Sequence, residues 1–158
     1  MPLSHSIRAH LLVFTLDRQR YALRLDRVQR VVRAAAVTPL PKAPEIVLGV
    51  LDLQGQVVPV INLRRRFSLP EREIRSDDQL VVARAGALTV ALAVDGTESV
   101  LEEGELELTS PEEIVAGTSF LEGVAATRQG LLLIHDLEAL LFPAEESQLS
   151  KALEERAG

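Results

Sequence analysis

The sequence predicts a mostly β protein built as two pseudo-repeated lobes, each a small barrel, around a shared aliphatic core. Three observations predict it. The apolar runs come in strand–turn–strand pairs. Those pairs recur in the same order in the two halves of the chain. The composition is 47% hydrophobic but only 3% aromatic, without Trp, so the core is made of Val, Leu, Ile and Ala. At 158 residues the chain fits one domain, or two small lobes that share a core.

Met1–Arg8 is short and polar and reads as a loose arm. His10–Leu16 and Tyr21–Leu25 are strands around the turn Asp17-Arg18-Gln19-Arg20, and Tyr21, Leu23 and Leu25 alternate as on a half-buried strand. Asp26–Arg33 places Val28, Val31 and Val32 at i, i+3 and i+4, which fits a short helix capped by Asp26. Val is a weak helix former, so a strand is the alternative. Val37–Ala43 and Pro44 hold three prolines and are extended or turning.

The central stretch, Ile46–Phe67, has two apolar runs, Ile46–Leu53 and Val57–Leu63, around Gln54-Gly55-Gln56. It reads as a β-hairpin buried on both faces, because neither run alternates. Pro59 removes a ladder donor, which places its strand at an edge or a bulge. Leu69–Asp78 is a charged surface connector. Leu80–Ala85 and Leu88–Val94 form a second strand–turn–strand unit around Gly86-Ala87, and Asp95–Gly117 is acidic and loop-like with a strand-like Val100-Leu101. Phe120–Thr127 and Leu131–Ile134 are a last pair of strands. Asp136–Phe142 is one or two helical turns, and Pro143–Gly158 is a weakly amphipathic helix or a frayed tail.

The halves align. With Leu11–Asp26 set over Leu80–Asp95, Ala22-Leu23 falls on Ala91-Leu92, Asp26 on Asp95, and Val31-Val32 on Val100-Leu101. With a few more residues of offset, taken up in loops, Gly49-Val50 falls on Gly123-Val124 and Asn62-Leu63 on Asp136-Leu137. Such a unit is too long for a solenoid repeat. It describes two similar β-lobes, each closing its own barrel to limit exposed edges. The expected domain is 8–142, with its lobes split and intertwined around 69–79, followed by a helix or tail over 143–158.

The absence of Cys excludes disulfides and thiolate chemistry, and fits a reducing compartment. A net charge of −6 argues against a nucleic-acid surface and against anionic lipid. A nucleic-acid barrel would also need stacking aromatics on a basic face. No apolar run reaches the ~18 residues of a membrane span, and MPLSHSIRAH lacks the apolar segment of a secretory signal. The expectation is a soluble, cytoplasmic protein.

Catalysis needs a constellation, and none is legible. His5, His10 and His135 have no metal-ligand spacing, and His135 ends an apolar strand as a structural residue. Ser99 and Ser119 lack a nucleophile-elbow setting, and no phosphate-cradling Gly pattern occurs. The carboxylates of Glu98–Glu107 and Glu112-Glu113 read as solvated surface, and Arg64-Arg65-Arg66 as a solvated strand end. No enzyme, metal or cofactor is expected; a binding module is. A ligand-binding barrel is the remoter reading, and it requires a polar pocket with perturbed titratable groups.

The run TPLPKAPEIVLGVLDLQGQVVPVINLRRRF resembles the signature segment of CheW-like domains. Leu92-Ala93-Val94-Asp95 with Val100-Leu101, and Phe120–Val124 with Ile134–Leu137 and Leu140-Leu141, resemble that family's later segments. The likeness runs from about Arg8 to Phe142. It implies two five-stranded SH3-like barrels and a role as an adaptor coupling bacterial chemoreceptors to a CheA-type histidine kinase in chemotaxis. The implied partners are the kinase regulatory domain, paired through exposed barrel edges, and the receptor's cytoplasmic tip, docked between the lobes.

Carried over, the resemblance sets Gly49, Leu51, Leu53 and Gly55 on the hairpin that bounds the receptor groove, with Val28, Val31, Val94 and Val100 lining it. Ordinary core is the alternative for each valine, and a tight turn for Gly55. Two positions depart from the family pattern. Gln54 stands where an Arg is usual, which loses charge and the bidentate fork, and Arg30 stands where an acid is usual. A charge pair abandoned on both sides would suit an adaptor of a non-flagellar pathway.

Overall fold

The computed structural model describes residues 10–102, 104, 106–109 and 121–157. Strands β1 (His10–Leu16) and β2 (Gln19–Arg24) form a hairpin, a single 3-10 turn over Leu25–Arg27 follows, and β3 (Val28–Arg33) continues. Next come β4 (Val47–Leu53), β5 (Gln56–Ile61) and the four-residue helix α1 (Leu63–Arg66). The second half holds β6 (Gln79–Ala85), β7 (Leu88–Val94), β8 (Gly96–Glu102), the two-residue β9 (Leu108–Thr109), β10 (Leu121–Thr127) and β11 (Gly130–His135). A 3-10 turn, Leu137–Leu140, leads to helix α2 (Pro143–Ala157).

The strands make two sheets, ordered β8-β1-β2-β11-β10-β9 and β3-β6-β7-β5-β4. In the second sheet the chain runs on from edge strand β3 to Thr38, which bridges Val50 of β4 at the opposite edge. The first sheet repeats the device: β8 pairs β1, and β9, just beyond it in the chain, pairs β10 through Thr109 and Val124. Each sheet is therefore a small barrel of five strands' worth of wall, with one strand bent across both edges.

The repeat read in the sequence is a reciprocal exchange in the structure. The β1–β2 hairpin pairs with β8 and β11 of the second half, while β6–β7 pairs with β3 and β5 of the first half. The registers match: Ile134 faces Ala22 in one parallel ladder as Val60 faces Ala91 in the other. Asn62 and Asp136 also play one part, each capping a following turn by accepting from the backbone N–H of Arg65 and Glu138.

Exchange explains the missing alternation. Leu11, Val13, Ala22, Ala125, Leu132 and Ile134 fill one barrel, and Leu51, Val58, Val60, Leu80, Val82 and Ala91 fill the other. The opposite faces of the same strands, with Leu12, Phe14, Leu23, Val81, Ala83 and Leu92, meet between the barrels. A strand buried on both faces has no polar side to show.

Two expectations change, and one open alternative is decided. Val28–Arg33 is a strand, not a helix, because pairing with β6 satisfies its backbone and suits β-branched residues. Arg33 to Ala34 extends that ladder through Ala34 N–H to the Asp78 carbonyl at 3.0 Å. Pro59 lies on an interior strand, since β5 sits between β7 and β4. Val50, its partner in β4, gives its own N–H and C=O to Thr38 at 2.7 and 2.8 Å. The Pro59 nitrogen thus faces away from β4, and the ladder to β7 begins at Val60. The bulge lies in β4, between Val47 and Gly49. Finally, 143–157 is an ordered helix docked on the core through Leu149 and Ala152. Pro143 occupies its first turn, and Glu145 accepts from Phe142 N–H at 2.9 Å.

Candidate functional site

The β4–β5 turn is built by Gln54 and Gly55, both at positive φ (53° and 85°), and Asp52 Oδ1 accepts from Gly55 N–H at 2.8 Å. Arg30 Nη1 on β3 donates to Gln54 Oε1 at 3.3 Å. The two positions at which the sequence departs from its family pattern therefore touch. They join β3, with half-buried Val28 and Val31, to the turn carrying Leu53, Gln54 and Gly55.

The remaining candidates fall elsewhere. Leu51 is buried inside the second barrel and Val94, 1% exposed, between the barrels, so neither offers surface. Gly49 is buried where Thr38 crosses; a Cβ there would stand 2.3 Å from the Thr38 carbonyl oxygen. Val100, 47% exposed, lies on β8 of the other barrel, at the position that the repeat matches to Val31.

Among the described residues the outer edge of β3 is open. Arg30, Val32 and Ala34 direct their backbone groups toward β6, as the Ala34–Asp78 bond fixes the alternation. Val31 and Arg33 direct theirs outward, where they meet no backbone partner among the described residues. Such an edge is a template for another chain.

A polar cluster that the sequence did not announce lies where β7 crosses into β8. Asp95 Oδ1 accepts from Arg64 Nη2 at 2.6 Å and Arg72 Nη2 at 2.7 Å, and its Oδ2 accepts from Asp17 N–H at 2.9 Å. Arg64 also donates to Asp17 Oδ1 at 2.6 Å, and Arg72 reaches both Asp78 oxygens at 2.8 and 2.9 Å. Burial opposes the Arg64 charge, but the Asp17 and Asp95 carboxylates outweigh it and hold its pKa above the usual value. Burial would likewise raise Asp78, yet Arg72 and the Arg75 N–H hold its carboxyl below 3.8.

Arg64-Arg65-Arg66 is thus not a solvated strand end. Arg64 is 7% exposed. Arg66 pairs with Glu145 and lies 3.9 Å over the Phe142 ring, tying α1 to α2. Only the order of residues along the chain was legible here; the partners are distant in sequence. His135 stacks on Phe67 with ring centroids 4.4 Å apart, beside Tyr21, as a core residue. Glu98 accepts from Arg20 at 2.9 Å, while His5, Ser119, Glu103, Glu105 and Glu112-Glu113 lie outside the described residues.

Among the described residues no group of three His, Asp or Glu could hold a metal ion. Both barrel interiors are filled by aliphatic side chains. An outer hollow of about 560 Å³ is lined by Ala34–Val37, Leu48 and Arg72–Ser76, and its Arg72 is committed to Asp78 and Asp95. No helix among the described residues is long and apolar enough to cross a membrane.

Two barrels with exchanged hairpins place the chain among double-barrel β proteins. The CheW-like domain matches residues 10–144, and the chain belongs to that family. It is 30% identical over 135 residues to chemotaxis protein CheW of Thermotoga maritima, spanning 83% of this chain and 86% of that protein. It is also 30% identical over 133 residues to chemotaxis protein CheW of Bacillus subtilis, spanning 83% and 85%. Protein FrzA of Myxococcus xanthus is 32% identical over 82 residues, about half of either chain. The crystal structure of scaffolding protein TtCheW from Thermoanaerobacter tengcongensis superposes with a TM-score of 0.76 at 27% identity, covering 88% of this chain and 96% of that one.

Proposed function

We propose that this protein is a non-enzymatic adaptor of chemotaxis signal transduction, coupling the cytoplasmic tip of a chemoreceptor to the regulatory domain of a CheA-type histidine kinase. It works in the cytoplasm, recruited to receptor arrays at the membrane. Its mechanism is geometric: holding both partners in one assembly lets receptor state bias kinase conformation. The single observation that carries this reading is the open edge of β3. There Val31 and Arg33 offer backbone groups unpaired among the described residues, beside the Val28–Val31 surface and the Arg30–Gln54 contact. An edge of this kind accepts a partner strand by main-chain pairing. Val28, Val31, Leu53, Gln54, Gly55 and Val100 are the residues assigned to partner contact.

The test is calorimetric titration into the regulatory domain of a kinase from the same genome. Micromolar binding by the parent protein, lost on Arg33→Pro, supports the reading. Proline there deletes an outward N–H and spares the β6 ladder. Absence of binding by the folded parent to every such domain overturns it.

A further inference from the structure

The two crossovers between the barrels are equal in sequence and unequal in structure. Asp26 and Asp95 occupy matched positions in the repeat. At Asp95 the crossover is locked. Its carboxylate gathers Arg64 and Arg72 from the second barrel and its connector, and the Asp17 N–H from the β1–β2 turn of the first. Its own N–H donates to the Thr15 carbonyl at 2.9 Å. Next to it, Gln79 Oε1 on β6 accepts from both Thr97 N–H and Thr97 Oγ1 on β8, at 2.6 and 2.9 Å. The other crossover is a single 3-10 turn, Leu25–Arg27, without a side-chain cap and with no buried residue. Among the described residues, the ion pairs Arg24–Glu122 and Arg27–Glu138 that flank it are each about a third exposed or more, and such pairs contribute little. The repeat matches Gln79 and Thr97 to His10 and Val28, which cannot reproduce the tie.

We infer that Asp95 is a positioning residue that fixes the angle between the two barrels, with the Asp26 side left as the compliant crossover. It touches neither partner. It sets the relation between the β3 edge on one barrel and the β8 surface on the other, and so determines how faithfully a change at one partner reaches the second. This rests on the adaptor reading for its functional part and on the structure alone for its mechanical part.

The chain has no Cys, so Gln56→Cys, at the exposed start of β5, and Gln129→Cys, in the exposed β10–β11 turn of the other barrel, accept spin labels without background. Pulsed-dipolar distances are measured in the parent, in Asp95→Asn and in Asp26→Asn. The expected result is a narrow distribution in the parent and in Asp26→Asn, and a broadened one in Asp95→Asn. An unchanged distribution in Asp95→Asn overturns the inference. If Asp95→Asn does not fold, Arg72→Gln removes one arm of the lock; broadening there supports the inference and an unchanged width overturns it. The functional readout separates positioning from plain stability. Binary affinities for the kinase domain and for the receptor tip stay at the parent value, while the receptor's effect on kinase activity falls about fivefold, the low end of ordinary coupling. Binary affinities that fall in step with melting temperature overturn the positioning role. Failure of the parent to bind either partner removes the adaptor reading and leaves the distance result to decide the lock.

Discussion

Gly49 and Thr38 meet so closely that a Cβ on the glycine would stand 2.3 Å from the threonine carbonyl oxygen and 2.6 Å from Val37 Cγ1. The closeness has a cause: Thr38 is the residue that closes the second barrel by bridging Val50. Gly49→Ala is therefore expected to break that bridge, because backbone on one side and φ of +154° on the other leave nothing that can yield. A loss of about 3 kcal/mol or more in chemical denaturation is the expected cost, in the range of strained or overpacked substitutions. A loss below about 0.5 kcal/mol would show that the strand can move aside.

The Arg72–Asp78 pair makes stability pH-dependent with a definite sign. Burial alone would raise the Asp78 pKa, but the Arg72 hydrogen bonds and the Arg75 N–H hold it below 3.8 in the folded chain. A carboxyl whose folded pKa is depressed contributes stability that is fully present above its unfolded value and is lost as pH falls through the folded one. Unfolding free energy should decline on acidification below about pH 4. Asp78→Asn should flatten that part of the curve and cost about 1–3 kcal/mol at neutral pH, since Arg72 then keeps Asp95 and the Glu73 carbonyl but loses its bidentate carboxylate. An acid limb identical in the parent and Asp78→Asn would disprove the assignment.

At the turn, Arg30 and Gln54 are matched to each other at 3.3 Å. Gln54→Arg alone should lower stability by about 0.2–1 kcal/mol, because it sets one guanidinium against another near solvent. Arg30→Glu added to it restores an attractive pair and should recover the loss. A double-mutant cycle reads the coupling directly; equal and additive effects would mean that the two side chains do not interact in solution. If Gln54 had only lost a family contact, binding would improve with Gln54→Arg and Arg30 would be irrelevant.

Much of the fold was legible because it is written in local apolar runs. Each strand pair follows from residue types within a few positions of one another, and the repeat matched Asn62 to Asp136, whose shared capping part only the structure shows. Intertwined lobes were expected, but which strands pair was not legible, because Leu11 facing Leu101 and Val32 facing Leu80 are long-range choices that any two aliphatic hairpins could make. The same limit hid the site. Spacing alone fits Val28 and Val31 to a helix as well as to the strand they form, and Leu51 and Val94, set at the groove by resemblance, are core. Arg64, Arg72, Asp17 and Asp95 carry no signature until the crossover brings them together.

Helix α2 extends beyond the matched family domain, which ends at residue 144, yet its burial makes it part of the core. Leu149 is 0% exposed and packs with Ala152 in the cluster between the barrels. Outside that seam, Arg66 reaches Glu145 and the Phe142 ring, Gln148 Nε2 donates to the Lys42 carbonyl at 3.0 Å, and Lys42 lies 3.4 Å from Glu155. The Lys42 and Gln148 contacts are exposed, so the apolar seam should dominate over that rim. Leu149→Ala is expected to cost about 2–5 kcal/mol, the range for truncating a buried leucine. Lys42→Ala, which removes only the exposed pair, should cost less than about 0.5 kcal/mol. If the two variants unfold at the same denaturant concentration, the helix is held by its rim and not by its buried face. The expected order, with Leu149→Ala far the weaker, makes α2 a structural closure of the two-barrel core.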